Sequence, residues 1–508
     1  MRPEPVTHIR KSRSASSLFA VLLALTVSGC EPFDGDDESG EDRPLNIVFV
    51  LLDDATKSHY NAKSMPFTWR YMRNHGTTFD DYLVTTPLCC PARASILTGQ
   101  YGHNNGVLSN TYGDLRDPGD ILPAWLQGAG YRTAHVGKYL NGSEEALDNR
   151  ADASPGWDEW YTVLEPQSFY GYQISDNGTI EQFGDEDEDY LTRVLSDKAA
   201  GLVEELAGSD EPFFLELDHY APHRAPRQPG GCRHAAPPDP LDVGKFEGAH
   251  VPRSPALFEV DRSDKPSFIQ NLPAGTPAAL READLRYACA LGSLLSVDRG
   301  FEQLVSALDE SGVLDRTAII FSSDNGVYYG EHGVPDEKHF PYREAYEVPL
   351  QIALPDETPR RVDAPAASID LAPTMLEIAA GEPCVADGGC RPLDGRSLMP
   401  VLEGGADPST WLDRPRGLEL TLPGNSEPFD RVCEYFGVRS GRWAYVHHVT
   451  AARVGEDCLP SGEAELYDIV ADPHQLENLA GTGRSIEPRL HQLALQVRAC
   501  EGAACRRP

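Results

Sequence analysis

The amino-acid sequence predicts a doubly wound α/β fold built on a mixed sheet, followed by a smaller C-terminal antiparallel α+β subdomain. Three observations lead there. Continuous apolar runs recur without alternation, helical stretches lie between them, and the patterning changes after about residue 380. A run with no polar–apolar alternation fits a strand covered on both faces, as in a parallel sheet.

The first such run is Asn46-Ile-Val-Phe-Val-Leu-Leu52, which ends in Asp53-Asp54. Residues 133–137, 213–217 and 318–322 repeat the pattern. Residues 191–206 and 282–308 carry helical spacing, and strands alternating with helices predict the doubly wound arrangement. Ligands in such sheets bind beyond the carboxyl ends of the strands, so the polar residues after each run are the first site candidates. Residues 222–278 are rich in Pro, Gly and Arg without periodicity and predict a long surface excursion suited to substrate contacts. Residues 439–449 read as a hairpin, followed by a strand at 465–469 and a closing helix near 486–498. The main domain is therefore set at 46–383 and the subdomain at 384–508. No internal repeat is visible.

The amino-terminal end has another character. Arg2, Arg10, Lys11 and Arg13 precede an apolar run at 18–27, which ends in Ser28-Gly29-Cys30. A basic start, a short apolar stretch and small residues describe a secretory signal, and the run is too short to span a bilayer. Val-Ser-Gly-Cys resembles the lipobox of bacterial lipoproteins. It predicts cleavage after residue 29, lipidation of Cys30, and an exported protein anchored at the periplasmic or cell surface. Residues 30–45 are acidic and read as a disordered tether.

Removing a signal with four bases and one acid from the chain's 44 bases and 79 acids leaves a net charge of −38. That balance argues against nucleic acid or anionic lipid as a partner, leaving the lipid anchor as the membrane contact. Of eleven cysteines, the close pairs Cys384/Cys390, Cys433/Cys458 and Cys500/Cys505 predict local disulfides in an exported protein. At least one of Cys90, Cys232 and Cys289 is expected to stay a thiol.

The segment Pro87-Leu-Cys-Cys-Pro-Ala-Arg-Ala-Ser-Ile-Leu-Thr-Gly99 is the most informative. Pro91 suits the first turn of a helix, which sets Cys89 just before an N-terminus where free N–H groups favour an anion. On their own the two cysteines also fit a buried pair, or a single acidic thiol. Asp53-Asp54 and Asp324-Asn325 follow two of the predicted strands. Four hard oxygen donors without His or thiolate suit calcium or magnesium and not zinc.

Cys-x-Pro-x-Arg followed by Ala-Ser-Ile-Leu-Thr-Gly resembles the signature of the formylglycine-dependent (type I) sulfatases. Gly137-Lys-Tyr139, Ala221-Pro-His223, Asp324-Asn-Gly326, Lys338, Glu465 to Pro473 and Glu477-Asn-Leu479 extend the likeness in order. The resemblance implies an alkaline-phosphatase/sulfatase fold and a sulfuric ester hydrolase. It implies that a formylglycine-generating maturase converts Cys89, and that Asp53, Asp54, the converted Cys89, Asp324 and Asn325 hold calcium. A hydroxyl of the aldehyde hydrate would attack sulfur, and the second hydroxyl would expel sulfate. Arg93, Lys138 and Lys338 would neutralise the developing charge, while His223 would contact the leaving oxygen, with His219 as its competitor.

Many sulfatases carry a histidine two residues after the lysine of Gly-Lys, where this chain has Leu140; Asn141 and His103 are the candidate replacements. The doubled Cys-Cys-Pro, residues 102–107 and 137–141, and Gly330-Glu-His-Gly333 are most similar to the N-acetylglucosamine-6-sulfatase branch. That branch implies exo-type removal of a 6-O-sulfate from a sulfated carbohydrate, with His103, Asn104 and His332 as substrate contacts. Two other readings remain open at this stage. One is a formylglycine-dependent phosphonate or phosphodiester hydrolase, a class in which His tends to stand where this chain has Asn325. The other is a non-catalytic lipoprotein that binds sulfated glycans, against which the complete ligand set stands.

Overall fold

The strand Asn46–Leu52 runs through the middle of a ten-stranded sheet, and every one of its residues is buried. Its alternate side chains feed two different cores. Ile47, Phe49 and Leu51 join one apolar cluster, and Val48, Val50 and Leu52 join the other. A strand covered on both faces has no solvent side, which is why its sequence lacks alternation.

The computed structural model describes residues 44–506, apart from 148, 226–231, 233–234, 383–388, 407, 423–431 and 452–457. The predicted signal, Cys30 and all but the last two residues of the tether lie outside the described residues. Five neighbouring strands are mutually parallel in the order Thr317–Ser323, Asn46–Leu52, Phe213–Asp218, Arg132–Gly137 and Glu159–Leu164. Antiparallel partners flank them, Leu350–Ala353 on one side and Gln173–Asp176 on the other, so the sheet is mixed as expected. Glu159-Trp-Tyr-Thr-Val-Leu164 escaped sequence reading because its aromatic and polar residues break the aliphatic run.

Helices Leu191–Ala207 and Pro277–Glu310 share one face of the sheet, packing Leu195 and Val203 with Leu294 and Phe301. The long helix starts five residues before the expected 282. Thr276 caps it by accepting the Ala279 N–H at 3.1 Å, and Pro277 takes the first turn, where its missing N–H costs nothing. The 222–278 segment is less superficial than its composition predicts. Asp239 and Lys265 are buried, with Lys265 3.3 Å from Glu259 and Arg299 3.1 Å from Asp239.

The second sheet is antiparallel: Arg416–Thr421, Val432–Ser440 and Trp443–Ala451 in sequence, with Ala464–Asp468 on the far edge. Helix Glu487–Arg498 covers it through Leu490, Ala494 and Val497. Cys433–Cys458 and Cys500–Cys505 are bridged as expected. Cys232 pairs with Cys289, leaving Cys89 and Cys90 as thiols. Cys390 is disulfide-bonded, and its expected partner Cys384 lies outside the described residues.

Two ion pairs, one fully and one partly buried, fasten this sheet to the rest. Arg416 grips Asp81 with both terminal nitrogens at 2.8 Å, and Arg414 grips Asp370 at 2.6 Å twice. Asp370 also accepts the N–H groups of Ala367 at 2.8 Å and Arg396 at 2.9 Å. Asp370→Ala would leave a buried guanidinium and two amides unpaired, a loss of about 3–5 kcal/mol. A fall of that size in unfolding free energy from denaturant titration is expected. A loss below about 1 kcal/mol would mean the pair is not the fastening it resembles.

Candidate active site

All five parallel strands end at the same edge, and four of them deliver polar residues to one place. Asn46–Leu52 delivers Asp53 and Asp54, Thr317–Ser323 delivers Asp324 and Asn325, Arg132–Gly137 delivers Lys138, and Phe213–Asp218 leads to His223. Asp54 has φ of 67°, a left-handed conformation unusual for a residue with a Cβ. The turn is held from the neighbouring strand: Asp54 N–H donates to Asp324 Oδ1 at 3.2 Å and Ala55 N–H to Ser323 Oγ at 2.9 Å.

Cys89 opens the buried helix Cys89–Thr98, one residue earlier than expected, with Pro91 in the first turn. No side chain caps this helix from Leu88. Asn110 substitutes from another loop, its Oδ1 accepting the Cys90 N–H at 3.1 Å.

Cys89 Sγ lies 3.6 Å from Asp53 Oδ1 and 2.9 Å from Lys338 Nζ. Lys338 also donates to Asp54 Oδ1 at 2.6 Å, and Lys138 is ion-paired with Asp53. Arg93 sits one turn into the helix. It donates to Asp324 Oδ2 at 2.9 Å and to the Lys138 carbonyl at 2.8 Å, and lies 3.0 Å from Asp218 Oδ2. His223 Nε2 is 3.5 Å from Asp54 Oδ2. Its Nδ1 faces the Arg224 carbonyl oxygen, which can only accept, so the ring hydrogen is assigned to Nδ1. The Nε2 lone pair is thereby turned toward the carboxylates.

Burial opposes ionisation of Asp53 and Asp54, yet cationic neighbours outweigh it. His223 in its protonated form, then Lys138, holds Asp53 well below the usual carboxylate range, and Lys338 with protonated His223 does the same for Asp54. Asp324 is pushed up to about 7 by burial and by the charge of Asp53. Burial, then Asp53, pushes the Cys89 thiol up to about 12, and burial pushes His223 down to about 4.

The donor set fits a divalent cation. One ligand atom each from Asp53, Asp54, Cys89 and His223 lie within 4.8 Å of one another, and Asn325 Oδ1 is buried with no hydrogen-bond partner. An orphaned oxygen beside two carboxylates is what a hard cation would satisfy. Asp324 is adjacent, one oxygen on Arg93 and the other accepting the N–H groups of Asp54 and Asn325.

Of the residues gathered here, Asp54, Cys89, Lys138, His223 and Lys338 line a cavity of about 720 Å³. Arg93 braces the site from behind the cavity wall. Asn141 lines the cavity and His103 does not. His103 Nδ1 is 2.6 Å from Glu419 and Nε2 is 3.2 Å from the Cys500 carbonyl, so its polar edges are spent on the C-terminal region. Asn104 bonds Asp394 at 2.8 Å and the Cys500 carbonyl at 2.9 Å. His332 is buried, 2.8 Å from Glu259 and stacked on Tyr342. None of His103, Asn104 and His332, the expected substrate contacts, lines this cavity, and the bonds they make tie loops together. His219 is buried, with neither ring nitrogen hydrogen-bonded, and does not line the cavity.

Sequence reading missed Asn110, Arg224, Arg286 and Asp336, which also line the cavity. Arg224 and Asp336 carried a usable signal, adjacent to His223 and two residues before Lys338. Asn110 and Arg286 carried none, because their places depend on the folding of a distant loop and helix.

The chain matches the family model described as sulfatase over residues 45–381. It also matches the one described as N-sulphoglucosamine sulphohydrolase, C-terminal, over residues 330–499. It is 30% identical to a human N-acetylglucosamine-6-sulfatase, over 98% of this chain and 92% of the relative. It is 28% identical to an N-acetylglucosamine-6-O-sulfatase of Bacteroides thetaiotaomicron, over 94% and 89%. A solved structure in complex with its substrate D-glucosamine-2-N,6-O-disulfate superposes with a TM-score of 0.71 at 24% identity, over 90% of this chain and 98% of that one. With the helix bearing Cys89, the acidic strand ends and two lysines gathered at one cavity, the chain belongs to the sulfatase family and is a sulfuric ester hydrolase.

Proposed function

We propose that this hydrolase removes the 6-O-sulfate of N-acetylglucosamine in sulfated glycans, using a formylglycine made from Cys89 by a maturase, and a calcium ion. One observation carries the reading: Cys89 Sγ at a helix N-terminus lies within reach of Lys338 and Asp53, at 2.9 and 3.6 Å, and faces the cavity. The position of Sγ marks where an oxygen nucleophile would stand. An aldehyde hydrate supplies that nucleophile, and calcium held by Asp53, Asp54, Asp324 and Asn325 supplies fixed positive charge for sulfuryl oxygens.

The chain's own residues do the rest. Lys338 touches both the residue 89 side chain and Asp54, so its ammonium neutralises charge where nucleophile and sulfate meet. Lys138, pinned to Asp53, adds a second fixed charge and cannot swing away. Arg93 holds the Asp324 and Lys138 loops together from beneath. His223 keeps its hydrogen on Nδ1 against the Arg224 carbonyl, so proton exchange with a substrate oxygen runs through Nε2. The sugar assignment is supported by the names of the relatives and by cavity size. About 720 Å³ lies within the range that takes a small ligand. A 6-sulfate is a primary ester that projects from its ring, so the sulfate can reach Lys338 while the ring stays nearer the mouth. The sequence Val27-Ser-Gly-Cys30 supports export and a lipid anchor on Cys30.

Protein made with a maturase should carry a hydrazide-reactive aldehyde at residue 89, found by mass spectrometry of that peptide, and about one calcium per chain by elemental analysis. Cys89→Ala should abolish turnover, and substantial residual activity, or stoichiometric zinc in place of calcium, would count against the mechanism. On substrate, kcat/KM should favour N-acetylglucosamine-6-sulfate over galactose-6-sulfate and 4-nitrophenyl sulfate. A clear preference for either of the latter two would overturn the sugar assignment and leave the sulfatase chemistry standing. Cys30→Ala should move the protein from the membrane fraction to the soluble fraction; unchanged fractionation would refute the anchor.

A further inference from the structure

Part of the cavity wall is not used by the chemistry above. Asn110, Asn141 and Gln167 line it along with Leu88 and Cys89, each amide arriving from a different loop. Two of these amides are held by partners that leave one half of each side chain over. Asn110 Oδ1 accepts the Cys90 N–H at 3.1 Å, which leaves its Nδ2 donor available. Asn141 is held in the opposite sense. Its Nδ2 donates to Glu165 Oε1 at 2.9 Å, and its Oδ1 is buried without a hydrogen-bond partner.

Neither amide can turn over. A flipped Asn110 would set N–H against N–H at Cys90, and a flipped Asn141 would set its oxygen against the Glu165 carboxylate. Glu165 is itself placed by the fold. It follows the end of strand Glu159–Leu164, and its N–H donates to Glu144 Oε1 at 2.6 Å. The pair therefore offers one donor and one acceptor, both uncharged, beside the nucleophile. Amides recognise neutral polar groups and do not compensate an anion as Lys338 and Lys138 do. A group that both donates and accepts, a hydroxyl or an acetamido substituent, matches the pair. It would also relieve the orphaned Asn141 oxygen.

We propose that Asn110 and Asn141 form a sugar-reading subsite that pairs with a hydroxyl or acetamido group of the ring bearing the sulfate. The inference rests on the sugar-sulfate reading above and adds the contacts that would enforce it. A polar subsite discriminates strongly, because a ligand lacking the matching group leaves protein donors and acceptors unpaired.

The test compares kcat/KM on N-acetylglucosamine-6-sulfate and on 4-nitrophenyl sulfate in the full-length enzyme. The variants are Asn141→Ala, Asn110→Ala and Asn110→Asp, the last retaining an acceptor for the Cys90 N–H in case loss of that cap disturbs folding. The sugar-over-aryl ratio should fall about tenfold or more in each variant, the effect of one lost hydrogen-bond partner in a polar site. A ratio that stays at the wild-type value, whatever the absolute losses, overturns the subsite and assigns both amides to structure. A wild-type enzyme active on the aryl ester but inert toward the sugar ester overturns the sugar reading instead, and this inference with it.

Discussion

Three buried carboxylates govern this structure. Asp53, Asp54 and Asp324 are each under a tenth exposed and converge at the edge of one sheet. Removing a carboxylate from water is costly unless opposite charge and hydrogen bonds replace the lost solvation. The surroundings answer that demand residue by residue. Lys138 pairs with Asp53, Lys338 with Asp54, and Arg93 with Asp324. Backbone N–H groups of Asp54 and Asn325 complete the shell of Asp324. Two of these cations, Lys138 and Lys338, also line the cavity, while Arg93 lies behind its wall.

The sheet makes this concentration possible. Parallel strands end side by side, so residues just past their carboxyl ends crowd together without any long loop having to reach. The helix bearing Cys89 adds its N-terminus to the same place, and Asn110 caps it in lieu of a local residue. A positive φ at Asp54 is the strain accepted so that two successive carboxylates both face inward. Behind the site, Arg93 ties the helix bearing Cys89 to three strand ends at once, through Asp324, the Lys138 carbonyl and Asp218. A small shift in any one of those strands would therefore be felt at Cys89.

Much of this was legible beforehand, for identifiable reasons. The strand Asn46–Leu52 was readable because both faces are buried, and the double aspartate was suspect because it follows such a strand. Cys89 and Arg93 were readable as one motif on one helical turn. His103, Asn104 and His332 sit near recognisable motifs, yet none lines the cavity, and they bond Glu419, Asp394 and Glu259. Nothing local in the sequence shows that Glu419, more than three hundred residues away, will arrive at His103. Cys232 and Cys289 were left open for the same reason, since their bridge joins a loop to the long helix.

The sequence by itself determined the elements and the groups they carry: the buried parallel strands, the helix bearing Cys89, the oxygen-bearing pairs at two strand ends and the two lysines. These follow from patterns within a few residues, where periodicity and side-chain type act directly on local structure. Only the tertiary structure decided which of those groups meet. Lys338 reaches Cys89 across 249 residues, Asn325 reaches Asp54 across 271, and Asn110 and Asn141 come to the cavity from separate loops. Such meetings depend on how strands are ordered and how loops fold back over them, and those are settled by packing the whole core and not by any one segment.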